Sequence, residues 1–116
     1  MIVLGLGGMV GHDPAAALVV DGRVIAAAEE ERFLREKHAK GKQAEHAAAF
    51  CLRFAGLKAS DVQVVAIPFA PVSLMSPARW HYAVRHWYAP DRAFTALLNG
   101  NRRFRRNARQ VFGALG

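Results

Sequence analysis

The chain has 116 residues, 53% of them hydrophobic, and a formal net charge of +7. This length allows one domain at most, burying about two-thirds of its unfolded surface, with no room for a second core. The single cysteine, Cys51, excludes an internal disulfide and a cysteine-based zinc site, and it favours a reducing, cytoplasmic compartment. No run approaches the roughly 18 apolar residues of a membrane span, so no membrane partner is expected. Ile2 to Leu6 lacks the basic start and long apolar core of a signal peptide.

The charge is unevenly placed. Residues 1–71 carry eight Lys/Arg and eight Asp/Glu, whereas 72–116 carry eight Arg, no Lys and the single acid Asp91. The chain therefore divides into a neutral α/β segment, 1–71, and a basic helical extension, 72–116.

Ile2-Val3-Leu4, ended by Gly5, Gly7 and Gly8, reads as a buried strand opening into a glycine loop. Ala16–Val20 and Arg23–Ala28 are strand-compatible runs joined by Asp21-Gly22. That pair predicts a two-residue hairpin, because a type I′ turn needs positive φ at both central positions. After Lys40-Gly41-Lys42, the residues Ala44, Ala47, Ala48, Cys51, Leu52 and Ala55 form one continuous helical stripe. Gly56 stands where a left-handed C-terminal cap belongs, and Cys51 reads as a packed thiol within the stripe. A further apolar strand is expected over Val62–Phe69. The order β-β-β-α-β suits a mixed sheet with helices packed on it, as in the ribonuclease-H-like half of actin-type domains. In the extension, Trp80, Val84, Trp87 and Tyr88 predict an aromatic helix face ended by Pro90. Phe94, Leu97 and Leu98 mark a second segment, broken by Asn99-Gly100-Asn101. Phe104, Ala108, Val111 and Leu115 predict a third helix, with arginines on its remaining faces.

Gly5-x-Gly7-Gly8 fails as a phosphate loop: it leads into a strand, so no helix N-terminus is available, and no Gly-Lys-Ser/Thr follows. His12-Asp13 is the sharper signal. An imidazole beside a carboxylate can serve as a positioned base, a hydrogen-bond donor or a metal ligand. The hairpin can also return Arg32, Lys37 and His38 towards it. Glu29-Glu30-Glu31 is expected to be a solvated, mixed-charge turn. Arg32 and Lys37 can meet phosphate or carboxylate oxygens, Arg as a planar fork and Lys as a point charge. His81 and His86 stand about 140° apart on a helix and cannot share one ion as an i, i+4 pair does. His46 lies off the apolar stripe and is expected to face solvent. The arginine-rich extension has the composition of a nucleic-acid binder. Its interleaved aromatics favour docking on protein instead, so no nucleic-acid partner is expected.

The run from Leu4 to Gly41 resembles the start of the O-carbamoyltransferases, which include nodulation-factor and antibiotic carbamoyltransferases. It carries His12-Asp13-x-Ala15-Ala16-Ala17, Val20-Asp21-Gly22, Ala27-Ala28-Glu29-Glu30-Glu31-Arg32-Phe33 and Lys37-His38. Cys51-Leu52 and Ala55-Gly56-Leu57…Asp61-Val62 extend the likeness to about 70 residues. The resemblance implies an actin-like, ribonuclease-H-like domain. It moves a carbamoyl group from carbamoyl adenylate, made from carbamoyl phosphate and ATP, to an acceptor hydroxyl on a small molecule. By motif, His12, Lys37 and Asp13 are the expected transfer-site residues, orienting and polarising the carbamoyl group or the acceptor. An iron-type metal is expected for the complete enzyme. Its His-His-x-x-His segment, like the adenylating part, lies beyond a region like this one, so no cofactor or metal is expected within this chain. The expectation is an N-terminal, incomplete piece that needs the remainder of the enzyme, on the same or a separate chain, and is inactive alone. Three rivals stand beside it: a non-catalytic interaction module requiring a partner chain; a basic nucleic-acid-binding protein, which steep salt dependence would reveal; and an unrelated actin-like ATPase fragment, disfavoured by the poor phosphate-loop chemistry.

Overall fold

The computed structural model describes residues 1–8, 12–68, 77–91 and 100–116. Four strands, β1 (Ile2–Gly7), β2 (Ala15–Val20), β3 (Arg23–Glu29) and β4 (Val64–Ala66), form one mixed sheet in the order β3-β2-β1-β4. β1–β2 and β2–β3 pair antiparallel, while β4 lies parallel to β1. The β-β-β-α-β order expected from the sequence is present. A parallel return needs a long crossover, and the segment between β3 and β4 provides it with α1 (Glu31–Leu34) and α2 (Glu45–Phe54).

The β2–β3 hairpin closes on Asp21 (φ 49°) and Gly22 (φ 80°), the two positive φ values its sequence demands. One feature had no counterpart in the sequence pattern. The register shifts at Leu18/Val19, leaving Ile25 as an extra, bulged residue on β3. β1 runs through Gly5 to Gly7, longer than the Ile2–Leu4 run suggested, because its backbone pairs with Ala15–Ala17. β4 is shorter than Val62–Phe69. It pairs only from Val64 to Ala66, after a turn in which the Asp61 carboxylate accepts the Lys58 N–H at 2.8 Å, and Phe69 lies outside the described residues.

Period-two alternation gives the sheet two faces. Leu4, Leu6, Ala16 and Leu18 are buried on the face that α2 covers through Ala47, Ala48, Cys51 and Leu52. Each fully buried leucine contributes about 1.5–3 kcal/mol. The small residues of the α2 stripe let the helix approach until the Cys51 thiol reaches the Ala16 carbonyl at 3.6 Å. Gly56 (φ 67°) ends α2 as expected: its N–H reaches the Arg53 carbonyl and the Leu57 N–H reaches Leu52. The opposite face carries the row Val24, Val19, Val3 and Val64, and beside it the row Ala27, Ala17, Gly5 and Ala66.

The chain groups into two compact units, one of Met1–Pro68 with Asn107–Gly116 and one of Phe69–Arg106. In the second, α3 (Pro77–Arg85) carries only Trp80 and Val84 of the expected aromatic face; Trp87 and Tyr88 lie in the turns beyond it, and all four are exposed. The helix ends at Arg85, ahead of Pro90, in turns where His86 stacks on Tyr82. α4 (Gly100–Leu115) includes Gly100 and Asn101, so the break expected at Asn99-Gly100-Asn101 is absent at those two residues, and Asn99 lies outside the described residues. Within the first unit Val111 is fully buried and the Gln110 amide donates to Glu45, while Arg109 is exposed. The Phe94, Leu97 and Leu98 segment lies outside the described residues.

Candidate functional site

The end of β1, the start of β2 and the segment after β3 meet at one end of the sheet. Asp13 sits there with φ 56°, in the left-handed region that Asp tolerates better than most residues. Its backbone N–H donates to the His38 carbonyl at 2.9 Å, so residues 25 apart are fastened backbone to backbone. His38 (φ 64°) and Ala39 (φ 34°) are left-handed too, in a short 3₁₀ turn over Lys37–Ala39. Gly8 closes the other side. A Cβ there would lie 2.3 Å from the Asp13 carbonyl oxygen, and its φ is +64°, so this position requires glycine.

The Asp13 carboxylate is the hub. One oxygen accepts from His12 Nδ1 and the other from His38 Nδ1, the latter at 2.9 Å. These bonds, His12 first and His38 second, hold the Asp13 carboxyl below the usual carboxylate range. An ionised carboxylate only accepts, so each imidazole carries its proton on Nδ1. In the neutral ring this leaves Nε2 as a lone pair. The His12, Asp13 and His38 side chains are 69%, 49% and 48% exposed, so the site is open to solvent. Glu31 adds a further tie, accepting the His38 N–H at 2.9 Å.

The returning hairpin thus brings His38 onto Asp13. Lys37, its chain neighbour, is exposed, and among the described residues its ammonium has no ion-pair partner. Arg32 does not reach His12 or Asp13. Its guanidinium turns to Glu29 (3.6 Å) and Glu31 (4.0 Å), and the residue lines an open, mostly apolar cavity of about 920 Å³ with Gly5, Ala17, Ala27, Phe33 and Ala66.

The expectation of a solvated glutamate turn fails at Glu30. This residue is 1% exposed. Its carboxylate accepts the backbone N–H groups of His46 and Ala47 and the His46 Nδ1–H, capping α2 from a distance, and its own N–H donates to Pro14. Fixed N–H groups at a helix N-terminus are what a buried carboxylate needs. His46, expected to face solvent, is 58% exposed but tied to Glu30 and stacked on Phe33. No local pattern announces Glu30, because the helix it caps starts fifteen positions later.

Asp13, Glu31 and His38 each offer one ligand-type atom within 4.8 Å of the others. Within this group Asp13 and His38 are hydrogen-bonded through their side chains, while Glu31 accepts the His38 backbone N–H.

The hairpin thus fastens the His12-Asp13 pair to the turn that carries Lys37 and His38, as its geometry allows. Residues 3–92 match the family described as Carbamoyltransferase N-terminus, and the chain belongs to that family. It is 49% identical over 55 residues to Nodulation protein NolNO of Sinorhizobium fredii, a match covering 47% of this chain and 8% of that protein. It is 43% identical over 54 residues to an uncharacterized protein of Synechocystis sp., covering 47% of this chain and 9% of that one. The matched stretch is therefore under a tenth of each of these relatives. No helix among the described residues is long and apolar enough to cross a membrane.

Proposed function

We propose that this chain supplies the carbamoyl-transfer site of a carbamoyltransferase, in a domain of ribonuclease-H-like fold. The sheet order β3-β2-β1-β4, with its parallel β1–β4 pair, supports that fold. Family membership supports the reaction class. The observation that carries the site is the Asp13 carboxylate held between two Nδ1–H groups.

The substrate is carbamoyl adenylate, formed from carbamoyl phosphate and ATP by the remainder of the enzyme, and the acceptor is a small-molecule hydroxyl. The acceptor oxygen attacks the carbamoyl carbon, the bond to the adenylate phosphate breaks, and AMP leaves. The hydroxyl proton passes to His12 Nε2, whose partner nitrogen is held by Asp13, the geometry of a positioned general base. Lys37 contributes a cation to the developing oxyanion or the departing phosphate.

The test uses the complete enzyme. His12→Asn and Lys37→Ala should lower acyl transfer by about 10²-fold or more, while carbamoyl-adenylate formation stays near wild type. Equal loss of both half-reactions would assign these residues to folding or to adenylation.

A further inference from the structure

Each imidazole at the site presents the same chemistry to Asp13, yet the two stand differently in the chain. His12 is the neighbour of Asp13, and its contact is a short local bond. His38 comes from 25 residues away and is itself fixed at several points: its carbonyl takes the Asp13 N–H, its Nδ1–H reaches Asp13 Oδ1, and its N–H is held by Glu31. Asp13 occupies a left-handed backbone conformation, which persists where its surroundings enforce it. The enforcing group is His38. Without the bond from His38 Nδ1–H the Asp13 carboxylate is free to rotate away from His12, and with it goes the constraint on which His12 nitrogen carries the proton.

We propose that His38 is a positioning residue that acts through Asp13 to keep His12 in the Nδ1–H form with Nε2 unprotonated. This rests on the reading of His12 as the transfer base. In this assignment the His38 Nε2 takes no part in the reaction, and the whole contribution of the side chain is one donated hydrogen bond.

Two substitutions separate that role from any other. His38→Gly removes the donor yet suits a φ of 64° and keeps the carbonyl that receives the Asp13 N–H. His38→Asn restores an N–H donor at the place of Nδ1 on a residue type that tolerates the left-handed region, but it has no group at the place of Nε2. The readout is the tautomer of His12, followed by ¹⁵N resonances of histidine-labelled 116-residue chain, with the β1 and β2 amide resonances as the folding control.

Wild type and His38→Asn should hold His12 in the Nδ1–H form, while His38→Gly should shift it to a mixture in which Nε2–H dominates. An unchanged His12 tautomer in His38→Gly overturns the proposal, as does a His38→Asn variant that behaves like His38→Gly. In the complete enzyme the glycine variant should lose about 10²-fold in carbamoyl transfer, and the asparagine variant should transfer near the wild-type rate. If the tautomer shifts as expected and transfer does not respond, it is the assignment of His12 as the base that fails, and tautomer control by His38 stands.

Discussion

The carboxylate of Glu30 accepts the backbone N–H of Ala47 at 2.9 Å, which makes it the cap of a helix in which it has no part. Its own N–H meanwhile donates to Pro14, the residue after Asp13. One residue thus joins the end of β3, the loop that carries the site, and the start of α2. The same sheet end that assembles the histidines is held shut by a buried charge.

Glu30→Ala should therefore destabilise the chain by about 2–4 kcal/mol, since it removes charge-assisted bonds and leaves the His46 and Ala47 N–H groups without their acceptor. Glu30→Gln keeps one carbonyl acceptor and should cost less. Urea unfolding of the two variants checks the order; equal and small losses would mean that water replaces the carboxylate without penalty.

Gly8 and Gly22 both have positive φ but differ in their surroundings. At Gly22 an added Cβ meets open space, whereas at Gly8 it strikes the Asp13 carbonyl and Pro14. Gly22→Ala should cost about 1–2 kcal/mol from backbone strain alone. Gly8→Ala should cost about 3 kcal/mol or more and should also disturb His12 and Asp13. Denaturation midpoints with the site histidine resonances test both halves of this statement.

The hydrogen bonds to Asp13 stabilise its ionised form, so its folded pKa lies below the ordinary 3.8. A depressed carboxylate contributes stability that is present above the unfolded value and is lost as pH falls through the folded one. The Asp13 contacts should therefore persist at pH 4.5 and dissolve only below 3.8. The ¹³C carboxyl shift of Asp13 against pH checks this, and a midpoint at or above 3.8 would contradict it.

Cys51 is buried against the sheet, and burial pushes its thiol pKa up. A thiol both inaccessible and protonated is a poor nucleophile. Modification by an aromatic disulfide reagent at pH 8 should be slow in the folded chain and immediate in denaturant. Rapid labelling under native conditions would show that α2 lifts from the sheet readily.

Much of the frame was legible because its signals are local. Asp21-Gly22 specifies its own turn, and the Ala44–Ala55 stripe with Gly56 specifies a helix and its end. The length of β4 was not legible. Its pairing depends on the partner strand β1 and on the Lys58–Asp61 turn, not on the apolar content of Val62–Phe69. At the site, the return of His38 to His12-Asp13 followed from hairpin geometry. What each group binds did not follow, because Arg32, Lys37 and His38 can all donate to a carboxylate and are sorted only by backbone angles. Glu30 has the sequence pattern of a surface residue because a run of three glutamates is ordinarily solvated, and only the later helix distinguishes the middle one.

Among the described residues, the non-glycine positions with positive φ are Asp13, Asp21, Arg35, His38 and Ala39, and all but the hairpin residue Asp21 fall in the two segments that meet at the site. Glycine would relieve the backbone at any of these positions, and at 13 or 38 it would erase the site. Selection for heat resistance alone should thus enrich glycine there and yield a sturdier but inert protein. A library sorted separately for thermal survival and for catalysis should split at these positions first.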